Sequence, residues 1–138
     1  MKFINPKLTK FKKIRKGKLV KNDFKNSLLT YGTIGLKCLQ SGLIKSYQIE
    51  TFFNSLKKKL KKKAKIWIKF SFSTSITAKP LESRMGKGKG SVKYFAFKVS
   101  AGSILLEACF QKNTKSSVIR ALTEIQYKIP VKTLIVEC

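Results

Sequence analysis

Apolar and polar residues along this chain alternate with two different periods, and each period predicts a different kind of element. Residues 27–40 are strand-like but are interrupted by Gly32 and Gly35, which predicts short or bulged strands. Residues 65–72, KIWIKFSF, alternate as a half-buried strand does. We interpret Trp67 in that strand as a packing residue in preference to one that stacks on a nucleic-acid base.

Two other segments carry apolar residues at helical spacing. Ser46 is predicted to cap the first helix, and Ser116 or Ser117 to cap the second, which Pro130 ends. The apolar stripes are Ile49, Phe52, Phe53, Leu56 and Leu60 in the first helix, and Val118, Ala121, Leu122, Ile125 and Ile129 in the second. Opposite the first stripe lie Lys57, Lys58, Lys59, Lys61, Lys62 and Lys63. Because six lysines in seven positions repel one another, we interpret this face as one that follows phosphates, in preference to a merely solvated face.

The remaining strand-like segments complete the fold prediction. Residues 93–99 and 103–110 are predicted to pair as a hairpin through a turn at Gly102, and residues 131–137 form a last strand. The resulting order of strands, helix, strand, loop, hairpin, helix and strand indicates a compact α+β domain with antiparallel pairing. A length of 138 residues with 43% hydrophobic content fits a single domain, residues 1–138, with its own core.

Charge narrows the choice of partner. Lysine and arginine number 31 against six acidic residues, which gives a net charge of +25. A folded domain with this much self-repulsion is destabilised unless a polyanion neutralises it. Nucleic acid is the leading partner, an anionic membrane surface is second, and an acidic protein is third.

Catalytic and metal-binding chemistry has few residues to use. The chain has no histidine, and its six acidic residues are spread singly, so neither the commonest general base nor a carboxylate pair is present. Cys38, Cys109 and Cys138 are odd in number and form no C-x-x-C pair, which argues against a disulfide framework and a zinc site. We therefore expect no enzymatic activity, no metal and no cofactor.

The first 26 residues are predicted to form a basic arm. They lack the apolar core of a secretory signal, and Pro6 and Gly17 make them a poor transit peptide. No stretch of the chain approaches the roughly 20 apolar residues of a membrane span, so we expect no membrane segment. The arm is either disordered or ordered along a phosphate backbone, and its charge favours the second. The predicted phosphate-binding residues are Lys7, Lys10, Lys12, Lys13, Arg15, Lys16 and Lys18 of the arm, with Lys57, Lys58, Lys61 and Lys62 of the first helix.

Residues 79–91 are predicted to form an extended loop that is rich in glycine and basic residues. Its glycine spacing, G-x-G-x-G, does not match the phosphate-binding loop of nucleoside triphosphatases. It does not match the dinucleotide-binding fingerprint either, because that motif precedes a helix, whereas a strand follows here. Lysines on such a loop can instead follow an irregular RNA backbone without reading bases. Taken alone, the motif has low specificity.

The stretch KPLESRMGKGKGSVKYF, residues 79–95, resembles the signature of the bacterial-type ribosomal large-subunit protein sixteen family, K-P-x-x-x-R-M-G-K-G-K-G before an aromatic strand. The similarity extends to the arm NPKLTKFKKIRKGK, to the block YGTIGLKCLQSGLIKSYQIE, and to the strands KIWIKF and KIPVKTLIV. It therefore covers nearly the whole chain in order.

The resemblance implies a hammerhead-type α+β fold and a structural, rRNA-binding role in the large ribosomal subunit, beside the aminoacyl-tRNA site near the peptidyl-transferase region. Implied partners are large-subunit rRNA, aminoacyl-tRNA in passing and neighbouring ribosomal proteins, with no membrane and no homo-oligomer. By position, the loop facing the tRNA comprises Lys79, Arg84, Met85, Gly86, Lys87, Gly88, Lys89 and Gly90. In some relatives the arginine of this signature is hydroxylated, which makes Arg84 a candidate modification site.

The chain departs from the family pattern at Arg15, where relatives commonly have histidine, in the lysine-rich first helix, and at residues 111–117, which replace a G-V-P turn. Its richness in lysine, phenylalanine and isoleucine indicates an AT-rich coding genome. With the missing transit signal, this favours a mitochondrial ribosome in the matrix, and the alternatives are the bacterial cytoplasm and a plastid. A free RNA-binding regulator and a membrane-surface protein are the competing functional classes.

Overall fold

The computed structural model describes residues 10–19, 22–23, 26–61, 63–69 and 74–138. The described part of the chain contains seven strands and two α-helices. In order, they are β1 (Ile34–Cys38), β2 (Gly42–Lys45), α1 (Ser46–Leu60), β3 (Ala64–Ile68), β4 (Thr74–Ala78), β5 (Ser91–Val99), β6 (Ile104–Phe110), α2 (Lys115–Gln126) and β7 (Thr133–Glu137). A short 3-10 helix, Lys112–Thr114, precedes α2.

The strands form two antiparallel sheets. One has four strands in the order β3-β6-β1-β7, and the other has three in the order β2-β5-β4. Two helices with antiparallel strands confirm the predicted α+β class.

The core lies between the two helices and one face of the four-stranded sheet. On β1, Ile34, Leu36 and Cys38 are buried at every second position, as a strand with one covered face requires. Leu36 lies opposite Leu106 of β6, and Ile34 lies opposite Ala108. The apolar stripes of α1 and α2 pack onto these residues. Deleting one of the large buried side chains here is expected to cost about 2–5 kcal/mol.

The helix ends differ from the predicted ones. Ser46 is the first helical residue rather than the cap, because the side chain of Gln48 accepts a hydrogen bond from the backbone N–H of Lys45 at 3.0 Å. The second helix begins before both predicted serine caps, at Lys115, and ends at Gln126. Ile129 is buried as its apolar spacing suggests, but it lies beyond the helix.

The predicted hairpin between residues 93–99 and 103–110 is wrong. The turn exists, and Gly102 has a φ of 89°. However, β5 pairs with β2 and β4, whereas β6 pairs with β1 and β3. The reason is that the backbone N–H of Gly102 donates to the Cys38 carbonyl at 2.7 Å and that of Cys38 donates to the Ser103 carbonyl at 2.9 Å. The turn therefore passes the chain from one sheet to the other.

Strand β4 was not predicted, and it determines where the glycine-rich loop lies. Residues Ala78 and Ser91 are paired at the end of the β4–β5 ladder, so residues 79–90 are the tip of this hairpin. Along β5, pairing changes partner at Ala96: residues 91–96 pair with β4, and residues 96–99 pair with β2. Within the described residues, the half of β5 next to the loop is thus part of a two-stranded ribbon.

Candidate nucleic-acid interface

Helix α1 separates its charged and apolar residues as predicted. Its apolar stripe, from Ile49 to Leu60, is buried, whereas Lys57, Lys58 and Lys59 are exposed. Lys61 is exposed just beyond the helix, with a φ of 49°, and its backbone N–H donates to the Lys57 carbonyl at 2.9 Å. Lys59 forms an ion pair with Glu124 of α2, so part of its charge is already matched. Lys63 is also exposed, and Lys62, the remaining predicted residue of this face, lies outside the described residues.

The basic arm is described over residues 10–19. Its predicted phosphate-binding side chains in that range are all exposed, namely Lys10, Lys12, Lys13, Arg15, Lys16 and Lys18. Lys7 lies outside the described residues. An exposed cationic strip of this kind offers charge without fixed geometry, since lysine binds phosphate as a point charge.

The arm and the glycine-rich loop contact each other. The Nζ of Lys13 donates to the carbonyl of Lys89 at 2.8 Å, and the Nζ of Lys89 donates to the carbonyl of Ile14 at 2.6 Å. Residues more than 70 positions apart in the sequence therefore lie side by side. Two cationic segments, predicted separately, form one continuous basic surface.

The loop lies at the end of the β4–β5 ladder and is open to solvent. Residues 79–89 are exposed, and Met85 is fully so. A Cβ atom added to Gly86 or Gly88 would meet nothing within 4 Å, whereas one on Gly90 would lie 2.4 Å from the Ala78 carbonyl oxygen. Gly90 therefore allows the two strands to approach closely at the base of the loop. Lys79 bridges the loop internally by donating to the carbonyl of Gly86.

The backbone at the loop tip is unusual. Gly86, Lys87 and Gly88 have φ angles of 92°, 54° and 80°, so three consecutive residues lie in the left-handed region. Glycine adopts this region at little cost, but Lys87 does not. Such strained residues cluster at sites of binding and switching. The tip thus presents Lys87 in a conformation that the flanking glycines permit.

A buried acidic residue lies on the four-stranded sheet, and no role was predicted for it from the sequence. Glu107 of β6 is fully buried, and its carboxylate accepts hydrogen bonds from the backbone N–H groups of Thr30, Tyr31 and Gly32, at 3.1, 2.6 and 2.9 Å. It also forms an ion pair with Lys69. The available signal in the sequence was a lone acidic residue inside the apolar run SILLEACF.

The position of Gly32 explains how this segment comes so close to β6. A Cβ atom there would lie 2.8 Å from both the backbone N and the carbonyl oxygen of Ala108. The segment also brings the Tyr31 ring onto Trp67 of β3, with ring centroids 6.1 Å apart and an interplanar angle of 26°. The interpretation of Trp67 as a packing residue therefore holds for one side of its ring, with Tyr31 as its partner.

Burial and hydrogen bonding set the charge of two buried groups, Glu107 and Cys38. Burial would raise the pKa of Glu107, but the hydrogen bonds from Lys69 and from the N–H groups of Tyr31, Gly32 and Thr30 outweigh it, so the pKa falls to about 2. Burial raises the pKa of Cys38 to about 12, and a hydrogen bond with Ser103 opposes this only in part. Glu107 is thus an anion and Cys38 a neutral thiol at neutral pH.

Within the described ranges, no group of three or more histidine, cysteine and acidic side chains is close enough to hold a metal ion. Among the helices of the described chain, none has the length and apolarity needed to cross a bilayer.

The sequence is similar to those of known proteins over nearly its whole length. The profile of the ribosomal protein L16p/L10e family matches residues 6–136. The chain is 40% identical over 134 residues to the large ribosomal subunit protein uL16 of Psychrobacter cryohalolentis, covering 97% of this chain and 96% of the relative. The uL16 protein of Psychrobacter arcticus gives the same values. The chain therefore belongs to the ribosomal protein L16p/L10e family, and it is a structural, non-enzymatic protein of the large ribosomal subunit.

Proposed function

We propose that the protein binds large-subunit rRNA through its arm and through the lysine face of α1, and that its loop, residues 79–91, supports the aminoacyl-tRNA site. The main support is a pair of hydrogen bonds between the arm and the loop. Lys13 donates to the carbonyl of Lys89, and Lys89 donates to the carbonyl of Ile14. These bonds place two strongly cationic segments beside each other at the surface.

This arrangement is unfavourable in the absence of a polyanion. Two like charges about 4 Å apart repel by about 1 kcal/mol in bulk water and by more near a protein surface. The repulsion accumulates over the exposed basic residues 10–18 and the basic residues of the loop. A phosphate backbone along this surface converts the repulsion into attraction and releases its own counterions. The exposed lysines of α1 provide a second place for the same interaction.

The loop is suited to reach a partner beyond the rRNA that holds the arm. It is exposed, it forms the tip of a hairpin, and its glycines expose backbone groups as well as lysines. We assign Lys79, Arg84, Met85, Gly86, Lys87, Gly88, Lys89 and Gly90 to this tRNA-facing surface. We also propose that residues 1–138 form one domain with an arm over residues 1–26, and that neighbouring ribosomal proteins contact it.

Binding of rRNA is tested with a charge reversal on α1. The double variant Lys57→Glu/Lys58→Glu should weaken binding to large-subunit rRNA, because it removes two phosphate contacts and adds two repulsions. The slope of log affinity against log salt should decrease by about one for each lost contact. Arg120→Glu/Lys132→Glu is the matched control, since both side chains are exposed and lie outside the arm, α1 and the loop. Equal losses in the two variants would reject a specific role for α1.

The proposed role of the loop at the aminoacyl-tRNA site is tested on assembled ribosomes. Lys87→Glu should reduce aminoacyl-tRNA binding while leaving the fold and the contact between Lys89 and Ile14 intact. Lys87→Glu/Lys89→Glu removes that contact as well and should reduce subunit assembly further. Normal aminoacyl-tRNA binding by ribosomes carrying Lys87→Glu would show that the loop is only a spacer.

We further propose that the ribosome is mitochondrial. Support comes from the composition, in which 28 lysines outnumber three arginines, as expected of an AT-rich coding genome. The two relatives described above are bacterial, so the alternatives are a bacterial cytoplasm and a plastid. Cofractionation of the native protein with large subunits from purified mitochondria would support the proposal, and recovery from cytoplasmic or plastid ribosomes alone would reject it.

A further inference from the structure

The Tyr31–Trp67 pair, together with its lysines, forms a patch on the four-stranded sheet that is separate from the arm, α1 and the loop. Tyr31 is 67% exposed although its ring packs on the half-buried Trp67. The Nζ of Lys65 lies 5.1 Å from the centre of the Trp67 ring, and the Nζ of Lys69 lies 5.9 Å from the centre of the Tyr31 ring. Two aromatic rings and two cations therefore occupy one continuous surface.

This patch is held rigidly. The carboxylate of Glu107 binds three consecutive backbone N–H groups around Tyr31, and Lys69 links the same carboxylate to the Leu28 carbonyl at 3.2 Å. Burying a carboxylate is costly unless it is fully paired. Here that carboxylate fixes the backbone of a segment whose tyrosine side chain points largely into solvent. The fold thus preorganises an exposed ring, which reduces the entropy lost when something binds to it.

We propose, on the basis of the rRNA-binding function above, that the Tyr31–Trp67 pair is a stacking site for an unpaired RNA base. The base stacks on the exposed Tyr31 ring, and Lys65, which is exposed beside the pair, contacts a phosphate of the same strand. Lys69 is committed to Glu107 and positions Tyr31 rather than binding phosphate. Aromatic side chains that accept splayed bases are the usual means by which proteins recognise single-stranded RNA.

A protein partner fits this patch less well. Lys69 is neutralised by Glu107, so Lys65 is the cation that the patch offers to a partner, and the chain as a whole carries a net charge of +25. A protein partner would have to offer an acidic group and a flat apolar group side by side. A nucleotide offers an aromatic face and a negative charge a short distance apart, which are the two complements of this arrangement.

Trp67 is the only tryptophan in the chain, so its fluorescence reports on this site in the intact protein. We would titrate the full chain with a 12-nucleotide oligouridylate and, separately, with inorganic polyphosphate of equal charge. Both probes neutralise the lysines, but only the RNA has bases. We expect oligouridylate to quench Trp67 strongly and polyphosphate to quench it little. Equal quenching by the two probes, or none by the RNA, would overturn the stacking site.

Substitutions at Tyr31 provide the second measurement. Tyr31→Phe keeps the ring and should bind oligouridylate as the wild type does. Tyr31→Leu keeps an apolar cover on Trp67 but removes the stacking face, and its affinity should fall about tenfold with an unchanged salt slope. Equal affinities of the two variants would contradict the proposal. The comparison of RNA with polyphosphate needs no variant, so it decides the question even if Tyr31→Leu does not fold.

The two proposals fail differently. If Lys57→Glu/Lys58→Glu leaves RNA binding unchanged while oligouridylate quenches Trp67, the rRNA surface on α1 is wrong and the stacking site stands. If the charge reversal weakens binding but Trp67 does not respond to bases, the stacking site alone is wrong. Protection of Tyr31 by a neighbouring protein in native subunits, without any nucleotide crosslinked to it, would also overturn the stacking site.

Discussion

The carboxylate of Glu107 accepts a hydrogen bond of 2.6 Å from the backbone N–H of Tyr31 and so joins β6 to the segment that precedes β1. The two residues are 76 positions apart, yet the contact is among the shortest in the described part of the chain. Because the same carboxylate also binds Lys69, it connects the backbone beside the Tyr31 ring to the end of β3. Stability and presentation of the aromatic patch therefore depend on one ionised group.

The first prediction concerns stability at acid pH. The pKa of Glu107 is lowered from 4.5 to about 2, so its ionised form stabilises the fold above about pH 4.5, and this stabilisation is lost as pH falls toward 2. From pH 7 to pH 3 the loss should be about 2 kcal/mol in the free energy of unfolding. Urea unfolding at both pH values measures it.

Glu107→Gln should remove this acid-dependent part while lowering stability at pH 7, because Lys69 loses its anion. Glu137→Gln is the control, since Glu137 is exposed and its ion pair with Lys115 is at the surface. If Glu107→Gln loses as much stability at acid pH as the wild type does, the loss arises from other carboxylates.

The second prediction concerns the close approach at Gly32. Gly32→Ala would place a methyl group 2.8 Å from backbone atoms of Ala108, which cannot move without disturbing the sheet. The expected destabilisation is about 1–3 kcal/mol, with a red shift of the Trp67 emission as Tyr31 moves away. Ser117→Ala is the control, because this side chain is exposed on α2 and its removal should change stability by no more than about 0.5 kcal/mol. Similar melting temperatures for both variants would contradict the packing at Gly32.

The third prediction concerns anions. With a net charge of +25, the isolated protein should be marginally stable at low salt and should gain stability when sulfate or RNA is added. Melting temperature would be measured by circular dichroism with sodium chloride at matched ionic strength as the control. A melting temperature that rises no more with sulfate or RNA than with chloride would show that neither anion binds the folded state.

The fourth prediction concerns the reactivity of two thiols, Cys38 and Cys138. Burial raises the pKa of Cys38 to about 12, so its thiol stays protonated and inaccessible, whereas Cys138 is exposed. Iodoacetamide should therefore modify Cys138 first and Cys38 only upon unfolding. Mass spectrometry of peptides after brief labelling measures the order. Labelling of Cys38 at the rate of Cys138 in the native protein would show that β1 opens readily.

Local periodicity predicted the elements whose burial follows from their own sequence. The stripe of α1 could be predicted because one covered face requires it, and β1 and β3 could be predicted as strands from their own residue types. Pairing between distant segments could not. The turn at Gly102 predicts a reversal of the chain, but β1, more than 60 residues earlier, supplies the partner of β6. Strand β4, TSITA, has small polar residues and only one strongly apolar one, so it gave no comparable signal.

The candidate site was predictable to a similar degree. Exposed lysines and a glycine-rich loop are visible in composition and spacing, and the structure places them at the surface. The meeting of Lys13 with Lys89 and the binding of Tyr31 by Glu107 were not visible, because each joins residues about 75 positions apart. A single acidic residue in an apolar strand predicts that a partner exists but not where it is.

The change of partner along β5 has a consequence for how the loop can evolve. Between the loop and Ala96, the described residues form a two-stranded ribbon, so the reach of the loop depends on the length of this ribbon and not on the core. Inserting two residues in each strand would move the tip outward by about 7 Å and keep every side chain on its original face. Inserting one residue in each would turn the faces over. We therefore expect the ribbon to differ in length among ribosomes by two residues, or a multiple of two, in each strand, while the two sheets and the helices stay unchanged.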